Sequence, residues 1–338
     1  MISLTDTVLE SNKYLKINFN GGDLSSDAGL LLIKEFACKL GFINILKKVF
    51  KTNDRASFRY HKDDENLWQV IYQILGAYFE DDCADELTND PILTAILSKE
   101  ALTSQPTLSR FFNRMDESTL NQFYDLMRRF RKVVYSVRYP NMILLDLDST
   151  LLNTYGHQEG EGFNFHYRDH GYHPLVRYGE FFYQAKSWEY PRRVVCKVEK
   201  PAEQLVHMYT FIVTNMDSEP EKIVRFYCKR GTMENYIKES KNGFDFAAVS
   251  SSSKIVNANR LQIHALAYNI FNWFKRLALS ASMRKQQINT IRLKLLKISA
   301  KVVHSARYIT FKLCSSCPYK DEFYETLENI KGLQPKLE

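Results

Sequence analysis

Tyr227, Arg230, Glu234 and Lys241 follow one another at intervals of three, four and seven residues. On a helix turning about 100° per residue these positions fall within an arc of roughly 60°, so a carboxylate stands between two cations and a phenol. A carboxylate ligates hard cations, while Arg and Lys hold phosphate oxygens. The set reads as phosphate-handling chemistry. Gly231-Thr232 admits another phase, because a glycine followed by threonine can close one helix and cap the next, which would shift Arg230 relative to Glu234. Glu234 and Lys241 align in either case.

A second acid comes from Met142-Ile143-Leu144-Leu145-Asp146-Leu147-Asp148-Ser149-Thr150. This short apolar run punctuated by acids has the form of a buried strand ending at an active site, and strand alternation puts Asp146 and Asp148 on the same face. Two-metal phosphoryl chemistry needs acids from different elements around ions about 4 Å apart. Asp148 at a strand end and Glu234 on a later helix match two of those places. The bland alternative for Asp148 is a strand-end cap.

The elements that must position these residues divide the chain into three. Residues 1–139 read as mostly helical, with apolar runs at 28–33 and 68–75. Within them, Ser104-Gln105-Pro106-Thr107-Leu108-Ser109-Arg110 looks like a helix start with Ser104 as N-cap and proline in the first turn. Its polar first turn, ending in Arg110, either enters a DNA groove or belongs to an ordinary capped helix. Strands are expected over 163–176, 192–198 and 208–213, and Asp217-Ser218-Glu219-Pro220 opens the helix leading to Tyr227. A long amphipathic helix is expected over 257–279.

Composition limits the partners. The chain has 338 residues, with 45% hydrophobic and 13% aromatic content, which argues for a folded protein. No stretch approaches a membrane span and no signal peptide is evident, so a cytoplasmic place is expected. The six cysteines are scattered apart from one Cys-x2-Cys, and reduced thiols are expected. Net charge is +7, and between 275 and 312 there are ten Lys and Arg and no Asp or Glu; elsewhere 36 basic residues face 39 acidic ones. Such a stripe suits a polyanion, with a solvated helix face as the alternative reading. Arg128, Arg129, Arg131 and Lys132 form a second basic cluster.

Other constellations carry less. His166, His170 and His173 lie near His157, but in one strand His173 points opposite to the other two, against zinc. Cys314-Ser315-Ser316-Cys317 lacks a second pair and reads as a turn. His264 lies on an apolar helix and reads as a core residue. There is no glycine-rich phosphate loop and no Gly-x-Ser-x-Gly elbow, which removes nucleotide hydrolysis and serine hydrolase chemistry.

Several segments together resemble one family. Tyr-x2-Arg-x3-Glu-x6-Lys from Tyr227 resembles the signature of DDE transposases of the IS4-like superfamily. Asp27-Ala28-Gly29-Leu30-Leu31-Leu32, the Ser104–Arg110 segment, Asp148-Ser149-Thr150, Gly171-Tyr172-His173-Pro174-Leu175, Arg230-Gly231-Thr232-Met233-Glu234-Asn235 and Asn257-Ala258-Asn259-Arg260-Leu261 look like the IS1380 family of insertion-sequence transposases, in that family's order. The resemblance implies an α+β chain: a helical N-terminal DNA-binding domain (1–139), an incomplete ribonuclease H-like DDE catalytic domain with a β-rich insertion (140–255), and a helical, basic C-terminal part (256–338). It further implies Asp148 and Glu234 as catalytic ligands of Mg²⁺ or Mn²⁺, and Tyr227, Arg230, Lys241 and Arg110 on DNA. The partners implied are terminal inverted repeats and target DNA, held by a homodimer in a synaptic complex. No membrane is involved, and the place implied is the nucleoid in the cytoplasm.

One departure concerns the second catalytic Asp. In such enzymes a strand, a helix and a further strand bearing that Asp follow His-Pro-Leu. Here the only aspartates between Asp148 and Glu234 are Asp169, in a polar loop, and Asp217, at a turn or helix start. The stretch after Val176 is read as deleted. A catalytically inactive, truncated transposase that at most binds DNA is the alternative to an active one.

Overall fold

The computed structural model describes residues 7–56, 58–140, 175–186, 188–200, 208–228, 231–247 and 251–337. The chain opens with β1 (Thr7–Leu9), β2 (Asn12–Ile17) and β3 (Leu24–Ser25). Seven helices follow: α1 (Leu30–Lys39), α2 (Phe42–Val49), α3 (Asp63–Leu75), α4 (Cys83–Glu86), α5 (Pro91–Leu97), α6 (Gln105–Phe112) and α7 (Glu117–Val137). Next come β4 (Leu175–Tyr183), β5 (Arg192–Lys200), β6 (Met208–Thr214), α8 (Pro220–Cys228), α9 (Gly231–Phe244) and α10 (Lys254–Leu277). The chain closes with α11 (Ile288–Ile291), a π turn at Arg292–Leu296, β7 (Ala300–His304), β8 (Ile309–Leu313) and α12 (Lys320–Gly332). The result is a mixed α+β chain with three small sheets among its described residues.

Two compact units divide these elements. The larger holds β1 to β3, α1 to α7 and the chain from residue 239 onward; the smaller holds β4 to β6, α8 and α9 as far as residue 238.

In the larger unit the helix starts are written in short-range chemistry. Asp90 accepts from the amides of Ile92 and Leu93 at 3.0 and 2.8 Å, with Pro91 in the first turn of α5. Asp116 accepts from the amides of Ser118 and Thr119, and the Thr119 hydroxyl accepts from the Asp116 amide, which makes a reciprocal cap for α7. Ser104 stands at the N-cap of α6 as expected, with Pro106 in the first turn, but its side chain makes no capping bond to the backbone. Asp85 from α4 takes that role, accepting from the Gln105 amide at 2.8 Å.

The long helix expected over 257–279 is α10, and it packs against α3 and α7. Its buried stripe of Ile263, Ala267, Ile270 and Phe274 recurs at helical spacing and fills the core. Strands at both ends depart from the helical expectation: β1 pairs antiparallel with β2 before the first helix. β3 precedes α1 and pairs antiparallel with β7 through Leu24 and Lys301, and β7 pairs with β8, so the C-terminal part is not wholly helical.

The smaller unit contains an antiparallel meander, β4-β5-β6, in which Val194 faces Phe181 on one side and Val213 on the other. β5 and β6 cover the strands expected at 192–198 and 208–213. Val195 and Ile212, directly opposed, pack against Ile223 and Val224 of α8. Of the strand expected over 163–176, only residues 175 and 176 are described, and they begin β4. The expected ribonuclease H-like opening strand at 142–150 lies outside the described residues.

Candidate active site and nucleic-acid surface

α8 begins at Pro220, and Ile223 and Val224 are buried against the meander, which fixes the helix that carries Tyr227 near its C-terminal end. The loop before α8 is held by Arg193 of β5, which donates to the carbonyls of Met216 and Ser218 and pairs with Glu180. Asp217 therefore sits exposed in a braced turn three residues before the helix, as expected of a turn residue.

The four-residue face of the opening motif does not lie on one helix. α8 ends at Cys228 and α9 starts at Gly231, so Tyr227 belongs to one helix while Glu234 and Lys241 belong to the next. The glycine expected to be able to close a helix instead opens α9, a position where its lack of a side chain is tolerated. Arg230 lies outside the described residues, as does Asp148. On α9, Glu234 falls in the first turn and Lys241 in the last.

The C-terminal turns of α9 are fixed tightly within the larger unit. Glu239 accepts from the Ile288 amide at 2.8 Å, and a Cβ on Gly243 would come within 2.5 Å of the Ile288 side chain. Phe244 is fully buried against Tyr268 and Phe271. Lys241, half-buried, belongs to these anchored turns.

Arg110 is exposed in the last turn of α6, its guanidinium donating to the Thr107 hydroxyl at 3.0 Å, while Leu108, Phe111 and Phe112 are buried. The helix therefore presents a narrow exposed edge that contains Arg110 and Pro106.

The basic stripe at 275–312 is not a continuous surface. Arg292 is 4% exposed; it donates to the carbonyls of Leu75 and Ile74 at 2.9 and 2.8 Å and lies over the rings of Phe79 and Phe244. Burial pushes its pKa down to about 10, with nearby Glu239 opposing. Lys297 pairs with buried Asp27 at 2.7 Å and covers the Tyr78 ring. These two cations hold the core together and are unavailable to a polyanion. Lys275, Arg276, Arg284, Lys285, Lys294, Lys301, Arg307 and Lys312 remain partly or fully exposed.

Two segments of the resemblance also prove structural. Asp27 accepts from Tyr78 and Ser26, while the amides of Ala28 and Gly29 donate to Ile298 and Leu296, joining the start of α1 to the π turn. Arg260, nearly buried, makes a two-pronged pair with Asp81 at 2.7 and 3.2 Å and stacks over Phe112 at 4.2 Å. Asn259 bonds to Thr119 and to the Asp116 carbonyl.

His264 is a core residue, as expected: its Nδ1 lies 2.6 Å from the Phe244 carbonyl and burial lowers its pKa to about 4. Cys314 and Cys317 form a turn through a 3.2 Å bond from the Cys317 amide to the Cys314 carbonyl. His157, His166, His170 and His173 lie outside the described residues. What the sequence reading missed is Arg138, which continues the basic cluster of α7 beyond Lys132; its signal is the Arg138-Tyr139-Pro140 step just after the helix.

Among the described residues no group of three or more His, Cys, Asp or Glu is placed to hold a metal ion. The side chains proposed as ligands, Asp148 and Glu234, are not among those the structure describes, so the fit of a metal rests on their carboxylate chemistry alone. No described helix is long and apolar enough to cross a membrane.

A family model described as transposase DDE domain group 1 matches residues 8–180 and 175–335. Domains of this kind generally use a divalent metal and act on DNA. No curated protein matches the chain, and no solved structure does.

Proposed function

Because the chain belongs to the transposase DDE domain group 1 family, we propose that it is the transposase of an insertion sequence of the IS1380 type, binding terminal inverted repeats and catalysing DNA cleavage and strand transfer. The observation that carries this reading is the family match along nearly the whole chain. The presence of both Glu234 and Lys241 within the single helix α9 supports it.

In this reading residues 1–139 bind DNA, 140–255 form a ribonuclease H-like catalytic domain, and 256–338 add basic contacts. Asp148 and Glu234 hold Mg²⁺ or Mn²⁺, which when bound activates a water and steadies the leaving oxygen. Water attacks the phosphorus at the element's end and the bond to the 3′ oxygen breaks; the freed 3′-hydroxyl then attacks a target phosphodiester, whose own 3′ oxygen leaves. Tyr227, Arg230 and Lys241 steady the terminal phosphates by hydrogen bonds and charge. Arg110 touches the DNA from the edge of α6. Two copies of the chain act together in a synaptic complex, in the cytoplasm and at the nucleoid.

A second reading has its own observation. The family match is divided into two segments that overlap at 175–180, next to the point after Val176 where the sequence is read as deleted. An internally deleted chain that binds element ends without cutting them fits that division.

The test is Mg²⁺- or Mn²⁺-dependent cleavage of duplexes carrying the element's ends, with the purified chain beside Glu234→Gln. A working transposase loses cleavage by about 10³-fold or more in the variant and keeps its DNA affinity. Binding without cleavage by the unaltered chain selects the deleted-copy reading, and absence of binding overturns both.

A further inference from the structure

One cleft of the larger unit gathers three exposed arginines. α7 ends at Val137 and α10 at Leu277, and between these ends lies a cleft of about 360 Å³, open to solvent, lined by Tyr135, Arg138, Tyr139, Trp273, Arg276 and Arg284. All three arginines are exposed, and none pairs with a carboxylate among the described residues. No Asp or Glu lines the cleft.

Its walls are packed onto the core. Val134 and Trp273 are buried beneath the cleft, and Trp273 packs edge-on against Phe42 and Phe130. Arg284 is aimed by two bonds from its guanidinium to the Leu279 carbonyl, at 2.9 and 3.2 Å, which leave the rest of the fork outward. The Tyr135 and Tyr139 rings meet edge to face, 5.5 Å apart, on one rim. Helix ends account for only part of the charge: two helix C-termini carry about half a negative charge each, against three guanidinium groups. The surplus is about two positive charges, set beside aromatic rings.

We infer that this cleft holds the phosphate backbone of duplex DNA, with Arg138, Arg276 and Arg284 each donating to phosphate oxygens. The inference rests on the transposase reading and deepens it, since it assigns DNA contact to one end of the basic stripe joined to Arg138. Planar guanidinium forks match phosphate oxygens in pairs, and each neutralised phosphate releases counterions.

The experiment is fluorescence anisotropy of the full chain on a labelled duplex carrying the element's end, across a salt series. Arg138→Gln and Arg276→Gln are compared with Lys331→Gln, which alters an exposed lysine that pairs with Glu328 and does not line the cleft. Each cleft variant should lower the slope of log affinity against log salt by about 0.9, and the double variant should bind roughly tenfold more weakly at physiological salt. Arg138→Lys and Arg276→Lys should keep the slope, which separates lost charge from misfolding. A double glutamine variant with unaltered slope and affinity overturns the inference while the chain still binds DNA. Failure of the unaltered chain to bind at any salt overturns the transposase reading with it.

Discussion

In the larger unit a single apolar cluster runs from Ala28 to Leu333, centred on Phe36, Phe42, Phe130, Trp273 and Phe274, with Phe42 and Phe130 stacked 4.0 Å apart. In the smaller unit the buried cluster among the described residues is Val195, Ile212, Ile223 and Val224, while Phe181, Tyr209 and Phe211 stay exposed on the other face of the same meander. The segments that resemble a family behave differently in the two. Asp27, Gly29, Asn259 and Arg260 are absorbed into packing and hydrogen bonding. Tyr227, by contrast, is more than a third exposed at the end of a helix whose packing falls to Ile223 and Val224. A shared sequence segment can therefore mark either a fold determinant or a reactive group, and burial tells the two apart.

Gly29→Ala tests the first half of that contrast with the largest expected effect. A Cβ there would lie 1.9 Å from the Leu295 carbonyl oxygen and 2.4 Å from the Leu296 Cα, both backbone atoms that no rotamer change can move. The start of α1 must separate from the π turn, and the Gly29 to Leu296 hydrogen bond is lost with it. Urea unfolding should show a loss of about 3 kcal/mol or more. A variant of unaltered stability would remove Asp27-Ala28-Gly29 from the fold determinants.

His264 gives the same unit a pH dependence. Its folded pKa of about 4 lies below the ordinary value of 6.5, chiefly through burial, so the unfolded chain binds the proton more readily. The stability it contributes is fully present above about pH 6.5 and is lost as pH falls toward 4, to a total of roughly 3 kcal/mol. The stability of the unaltered chain minus that of His264→Gln should shrink across this window in urea titrations. A constant difference would show that the imidazole is not buried in its neutral form.

The legible part of the molecule is its local part. Ser104-Gln105-Pro106, Asp217-Ser218-Glu219-Pro220 and the apolar period of 257–279 depend on near neighbours, and α6, α8 and α10 appear where those signals stand. β3 was not legible because its partner Lys301 is distant in the chain, and neither was the fate of Arg292, whose acceptors at Ile74 and Leu75 lie more than two hundred residues away. Composition counts a cation without saying whether it is solvated. For the candidate site, the phase of Glu234 with Lys241 follows from helix geometry alone, whereas the break after Cys228 depended on how Gly231-Thr232 divides two helices.

The smallest effect sharpens the comparison most, because it applies the same substitution to the smaller unit. Gly179 pairs with Cys196, which pairs with Phe211, in the row of the meander whose rings are exposed. A Cβ on Gly179 would meet nothing within 4 Å. The added methyl group restricts the unfolded chain without opposing the folded one, so Gly179→Ala should stabilise the β4–β5 pair by about 0.5 kcal/mol. Native-state hydrogen exchange of those strand amides should slow about twofold, while exchange in α1 and α10 stays as it was. Faster exchange in β4 would mean that this face is covered more closely than its exposed rings indicate, and the contrast between a filled core and an open sheet would fail at that point.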